Sequence, residues 1–179
     1  ITGGYLLEID KNFDEVNKFY SPIRNRPFMI KEPDEDVLNA DQFAYIQNYV
    51  TEIENALYGE GSTTEGYLQY IDLDSFIDYW LVYEITGTGE PTHPKSVYMY
   101  KDRGGKMHAG PVWDFDIAFD NDYRTYPLNN KADFLCFSGG SVAGDMGTFV
   151  RRIIQQDINT LPQIRELWMQ GRHHGITED

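Results

Sequence analysis

Apolar residues along this chain change their period several times, and each change marks an element. Tyr5-Leu6-Leu7-Glu8-Ile9 and Pro27-Phe28-Met29-Ile30-Lys31 are short runs of strand length, separated by a polar, turn-forming stretch. After Pro33-Asp34-Glu35-Asp36, the residues Phe43, Ile46, Val50, Ile53 and Leu57 recur at spacings of three and four, which puts one apolar stripe on one face of a helix. Asn39 with Gln42 forms a capping-box pattern at its start, and Gly59-Glu60-Gly61 ends it. Residues 61–66 read as a small polar loop. A second helix has Asp72 or Asp74 as N-cap and buries Phe76, Ile77, Trp80, Leu81 and Ile85, stopping at Gly87-Thr88-Gly89-Glu90-Pro91.

A hairpin follows. Val97-Tyr98-Met99-Tyr100 alternates, Asp102-Arg103-Gly104-Gly105 turns, and the return strand runs from Lys106 to Trp113. Residues 120–144 have no sustained period and many Asn, Gly and Ser; a loop of that length is usually functional or mobile. Two helices close the chain, one through Phe149-Val150 and Ile153-Ile154, the other through Leu161, Ile164, Leu167 and Trp168. No repeat or linker divides the 179 residues, so they are expected to form one domain of mixed helix and strand.

Charge narrows the partners. With 29 acids against 15 bases the net charge is −14, which repels phosphate backbones and anionic headgroups; nucleic acid is excluded as a natural partner, and basic protein segments or cations are favoured. No apolar run reaches the ~18–20 residues of a membrane span, so no membrane insertion is expected. Cys136 is the single cysteine, which rules out an intrachain disulfide and a thiolate cluster. That suits either the cytosol or a disulfide-free exported protein. The first residue is Ile1 and no signal pattern precedes the first strand, so the chain reads as cut from a longer protein.

The candidate chemistry centres on Trp113-Asp114-Phe115-Asp116. At the exit of a strand, residues two apart point to one face, so Asp114 and Asp116 could converge on a hard cation while Phe115 points into the core. Trp113 and Phe119 are expected to bury their rings around the turn. Oxygen ligands favour Mg²⁺, Mn²⁺ or Ca²⁺ over zinc. The alternative is that these aspartates cap a turn through neighbouring backbone N–H groups. Glu90 lies in the loop between the second helix and the hairpin, a place where catalytic groups are often carried. His93 shares that loop; the other histidines, His108, His173 and His174, show no helical zinc spacing and read as surface residues. Asp10-Lys11-Asn12-Phe13-Asp14 begins like a calcium loop, but Glu15 stands where that loop needs glycine.

Several stretches together resemble the CotH family, the spore-coat-protein-H type of atypical protein kinase. They are Gly4-Tyr5-Leu6-Leu7-Glu8-Ile9, Ile30-Lys31-Glu32-Pro33-Asp34-Glu35, Ser96-Val97-Tyr98-Met99-Tyr100-Lys101-Asp102, and Gly110-Pro111-Val112-Trp113-Asp114-Phe115-Asp116 with Ala118-Phe119. Phe149-Val150-Arg151-Arg152 and Leu167-Trp168 also fit. The resemblance implies an α+β fold, a small, largely antiparallel sheet with packed helices, corresponding to the C-terminal portion of a kinase-like domain over residues 1–179. The nucleotide-contacting N-terminal part of the family's domain would precede Ile1, so this segment alone is expected to be a poor kinase.

By the same resemblance, the full-length parent transfers phosphate from ATP to protein Ser/Thr hydroxyls with Mg²⁺ (or Mn²⁺). Asp114 matches the family's metal-binding aspartate and Asp116 would be a second ligand or its orienter. The family's catalytic aspartate and asparagine ligand correspond to Glu90, displaced by one residue, and to Ser96. These two departures make a non-catalytic surface attachment or interaction module the rival reading. A carboxylate-based glycan hydrolase, with Glu90 and Asp114 as acid pair, is the other. The relatives this segment most resembles sit on exported bacterial polypeptides, which implies a cell-surface or exported protein; a cytosolic one is also compatible.

Overall fold

The computed structural model describes residues 4–88, 95–119, 121, 123, 149–156 and 160–173. Among them, β1 (Tyr5–Ile9), β2 (Lys18–Tyr20), β3 (Pro27–Glu32), β4 (Val97–Lys101) and β5 (Met107–Ala109) form one sheet in the order β2-β3-β1-β4-β5. Every pairing is antiparallel. The helices are α1 (Ala40–Tyr58), α2 (Thr64–Tyr67), α3 (Leu73–Thr86), α4 (Val150–Gln156) and α5 (Thr160–His173). The α+β architecture expected from the sequence is the one observed.

Central strand β1 is buried on both faces. Tyr5, Leu7 and Ile9 face the main core, while Glu8 points the other way and is also buried. The face carrying Leu7 is covered by α1, whose Ile46, Val50, Ile53 and Leu57 are fully buried, with Phe43 partly so. The capping box is present: the Asn39 side chain accepts from the Gln42 amide at 3.0 Å, and the Gln42 side chain accepts from the Asn39 amide at 2.9 Å. At the other end the Gly59 N–H donates to the Asn55 carbonyl, so close that an added Cβ would meet that oxygen at 2.5 Å. Only glycine fits there.

Short elements escaped the pattern. The polar stretch between β1 and β3 contains β2, and the loop expected over residues 61–66 already holds the first turn of α2, capped by Thr63. Three or four residues are too few to show a period; pairing to β3 and packing of Tyr67 define them instead. For α3 the N-cap is Asp72, whose side chain accepts from the Ser75 amide, and Gly87 closes the helix in the left-handed conformation with φ 70°. Phe76, Ile77 and Trp80 are buried as expected and Leu81 is partly buried, but Ile85 is exposed because Tyr79 and Tyr83 take the inner face.

The hairpin's return strand is shorter than the sequence suggested. It ends at Ala109 rather than Trp113: Gly110 turns away with φ 120°, and Pro111 has no N–H to continue a ladder. The outer edge of β5 is closed by the segment leading into α3. Met107 donates to the Tyr70 carbonyl, Asp72 donates to that of Met107, and the Ala109 amide donates to Ser75 Oγ. Phe149, Val150 and Ile153 bring α4 into the same core, with Ile164 and Leu167 of α5 against it. The side chains of Ile154 and Leu161, and most of the loop over residues 120–144, lie outside the described residues.

Candidate functional site

The Trp113–Asp116 segment is not an extended strand end. Asp114 has φ 56°, in the left-handed region that Asp and Asn enter most readily among non-glycine residues. Residues two apart share a face only in extended chain, and this turn is not extended. Asp114 Oδ1 instead accepts a long 3.4 Å contact from the Asp116 amide, beyond the usual 2.7–3.2 Å. Both aspartates are solvent-exposed. The cap is weak and the Asp114 carboxylate stays open to solvent.

The ring positions divide. Phe115 points inward as expected and stacks on Tyr83, with ring centroids 5.4 Å apart. Trp113 and Phe119, expected to be buried, are 56% and 72% exposed. Their backbones hold the segment where ring burial was expected to. The Tyr83 hydroxyl donates to the Trp113 carbonyl at 3.0 Å and accepts from the Trp113 amide at 3.1 Å, while the Phe119 amide donates to the Thr86 carbonyl at 2.7 Å. Ala118 closes onto the Phe115 carbonyl and is buried. The segment is thus pinned along the last turns of α3.

Ser96 immediately precedes β4, with φ 51°. Its amide donates to Asp10 Oδ2 at 3.1 Å, and Asp10 Oδ1 accepts from the Asn12 amide at 2.7 Å. Asp10, which follows β1 and is 4% exposed, therefore commits both oxygens to backbone N–H groups. Two residues beyond Ser96, Tyr98 packs edge to face with Trp113 at 6.3 Å between centroids, and its carbonyl accepts from the Gly110 amide. Ser96 and Asp114 are in this way both tied to the Tyr98–Trp113 contact. Glu90 and His93 lie outside the described residues, as does His174. His108 stacks on Tyr100 and sits 3.8 Å from Asp72.

Next to this ring contact, the face of the sheet opposite α1 carries a charged cluster that the sequence did not single out. Glu8 is buried, and Lys31 bridges it at 3.4 Å to Glu15. The hydrogen bond to Glu15 holds the Lys31 ammonium above its usual range, helped by the charge of Glu8 and opposed by desolvation. Burial, then the Glu8 carboxylate, pushes the Tyr98 phenol up to about 12. Of the residues that build the site, Asp10 and Tyr83 were also missed. An aspartate directly after a buried strand is a signal for a backbone cap; a tyrosine within an apolar helix face carries no such mark.

A family model described as CotH kinase protein matches residues 2–168. The chain belongs to the CotH kinase family. No curated protein and no solved structure matches it significantly. Membership makes the chain kinase-like, and it gives the exposed, backbone-pinned Asp114 its context. The Asp114 and Asp116 carboxylates and the Ser96 hydroxyl are hard-oxygen donors, of the kind that suits Mg²⁺ or Mn²⁺. Among the described residues no three or more His, Cys, Asp or Glu gather as a ready metal cluster.

Proposed function

We propose that the protein, in its full length, transfers a phosphoryl group from ATP to a Ser or Thr hydroxyl of a protein substrate, one of basic character given the chain's charge. The observation that carries this reading is membership of a kinase family over residues 2–168, with Asp114 open to solvent on a rigidly held turn. When bound, Mg²⁺ or Mn²⁺ would supply positive charge that offsets the charge developing in phosphoryl transfer. Asp114 is the metal ligand in this reading, Asp116 a second ligand or its orienter, and Ser96 contributes its hydroxyl. Glu90 positions the substrate hydroxyl and accepts its proton; the hydroxyl oxygen bonds to the γ-phosphorus as the bond to the leaving ADP oxygen breaks.

Serine at position 96 and glutamate at position 90, where the family resemblance expects asparagine and aspartate, favour a second reading: a non-catalytic interaction module that retains nucleotide binding. Either function suits a surface-exposed or exported protein, and no helix among the described residues is long and apolar enough to cross a membrane. The decisive experiment is transfer of ³²P to the full-length protein itself or to a mixed protein substrate, with Glu90→Gln and Asp114→Asn as variants. Active wild type with both variants losing at least ~100-fold, within the range general-base and metal roles supply, supports the kinase. Activity that survives Glu90→Gln intact removes Glu90 from its role. Inactive wild type that still binds ATP establishes the module.

A further inference from the structure

We infer that Tyr83 is the positioning residue for Asp114, setting the left-handed turn that presents this carboxylate; the inference rests on the reading of Asp114 as a metal ligand. Three contacts converge on the one side chain. Its hydroxyl takes both backbone groups of Trp113, donating to the carbonyl at 3.0 Å and accepting from the amide at 3.1 Å. Its ring stacks on Phe115 at 5.4 Å. Tyr83 therefore grips the residue before Asp114 by its peptide groups and the residue after it by its ring. Asp114, between them, has φ 56° and, among the described residues, only the long 3.4 Å contact from the Asp116 amide.

The Phe119–Thr86 and Ala118–Phe115 hydrogen bonds hold the far side of the turn, and Tyr83 holds the residue that enters it. The left-handed region costs a non-glycine residue roughly 1–2 kcal/mol, and the neighbouring Trp113 ring is 56% exposed and contributes little anchorage. The anchor is itself rigid: Tyr83 is 4% exposed, packs on Tyr79 at 4.7 Å, and lies one turn before the Gly87 cap. A carboxylate that must meet a cation within a few tenths of an ångström gains most from a fixed backbone. The single hydroxyl that holds both Trp113 groups is the feature that distinguishes this from ordinary core packing.

The test compares Tyr83→Phe with wild type, Asp114→Asn and Tyr49→Phe, in the full-length protein with ATP. Tyr49→Phe is a matched control, a half-buried tyrosine whose hydroxyl donates to the Tyr70 carbonyl at 2.9 Å, away from the site. Mn²⁺ binding is read by electron paramagnetic resonance, and melting temperature is read in parallel. The expected result is Mn²⁺ affinity roughly five- to tenfold weaker in Tyr83→Phe, from losing both Trp113 hydrogen bonds while the ring stays. Tyr49→Phe, with a similar melting shift, should bind as wild type does. Tyr83→Phe binding within twofold of wild type, while Asp114→Asn binds poorly, overturns the positioning role alone. Wild type and Asp114→Asn binding equally overturns the metal-ligand reading and this inference with it.

Discussion

Single residues on the face of the sheet opposite α1 contribute to how this protein responds to alkali. Lys31 holds its proton above the ordinary value of 10.5, chiefly through Glu15, and Tyr98 holds its proton to about 12 through burial and Glu8. Both groups bind the proton more tightly folded than unfolded. Their contribution to stability is therefore complete below about pH 10 and drains away as pH rises through the folded values. Lys31 and Tyr98 are both partly exposed, so water screens the share of each. Urea unfolding between pH 8 and 11.5 should show stability falling above pH 10, with a shallower fall in Tyr98→Phe. Tyr5 and Tyr49 shift in the same direction, so some slope should remain. An identical slope in Tyr98→Phe would mean that its phenol is not held by the fold.

At this same scale the sequence was least informative about the site. The Trp113–Asp116 motif is conspicuous, yet its geometry was not legible, because the left-handed turn at Asp114 depends on the grip of Tyr83 on Trp113, thirty residues away in the chain. Extended chain is the natural default after a strand, and a contact that distant leaves no local trace. Trp113 and Phe119 look buried for the same reason: aromatic character predicts burial, but here backbone hydrogen bonds do the anchoring. Glu8 and Asp10 alternate with Leu7 and Ile9 as solvent-facing residues of a strand would. Their burial follows from Tyr98, Lys31 and the Ser96 amide, which arrive from other elements.

At the scale of elements, periodicity and capping chemistry decided correctly wherever an element was long enough to show them. The stripe of α1 and its Asn39–Gln42 box are both as the pattern requires, because nineteen residues offer several turns of repetition. Ile46 is fully buried among sheet and helix side chains, so Ile46→Ala should destabilise by about 2–5 kcal/mol in urea unfolding. A loss below about half a kcal/mol would show that the face is not a core face. Asn39→Ala removes the acceptor for the Gln42 amide and should lower stability by about 1 kcal/mol, with the urea dependence unchanged. The three-residue β2 and four-residue α2 were illegible because tertiary partners define them. β5 was overextended because the apolar run continues past Ala109, whereas Gly110 turns the backbone away and Pro111 has no N–H to continue the ladder.

For the whole molecule, the α1 stripe includes a residue that a hydrophobic pattern passes over, and it fastens separate regions together. Glu54 is fully buried and accepts from Ser21 Oγ at 2.8 Å, the Ile23 and Arg24 amides at 3.3 and 3.1 Å, and Arg26 Nη1 at 3.1 Å. Arg26, equally buried, donates to Tyr58 Oη at 2.7 Å and lies 4.5 Å from the Phe149 ring centroid. The β2–β3 turn, the last turns of α1 and the start of α4 thus meet at one ion pair. The two partners are not equivalent. Arg26→Met leaves Glu54 a hydroxyl and two amides, whereas Glu54→Leu removes the shared acceptor of a guanidinium, a hydroxyl and two amides at once. Breaking a buried pair by removing one partner costs about 3–5 kcal/mol. Glu54→Leu should fall in that range, Arg26→Met below it, and the double variant should lose less than the two single losses added, since each single variant already removes the one shared ion pair. Denaturant unfolding followed by both tryptophan fluorescence and circular dichroism reads all three, and coincident transitions show that one cooperative unit is being weakened. Additive losses, or a larger loss in Arg26→Met than in Glu54→Leu, would mean that this pair does not join those regions into one unit.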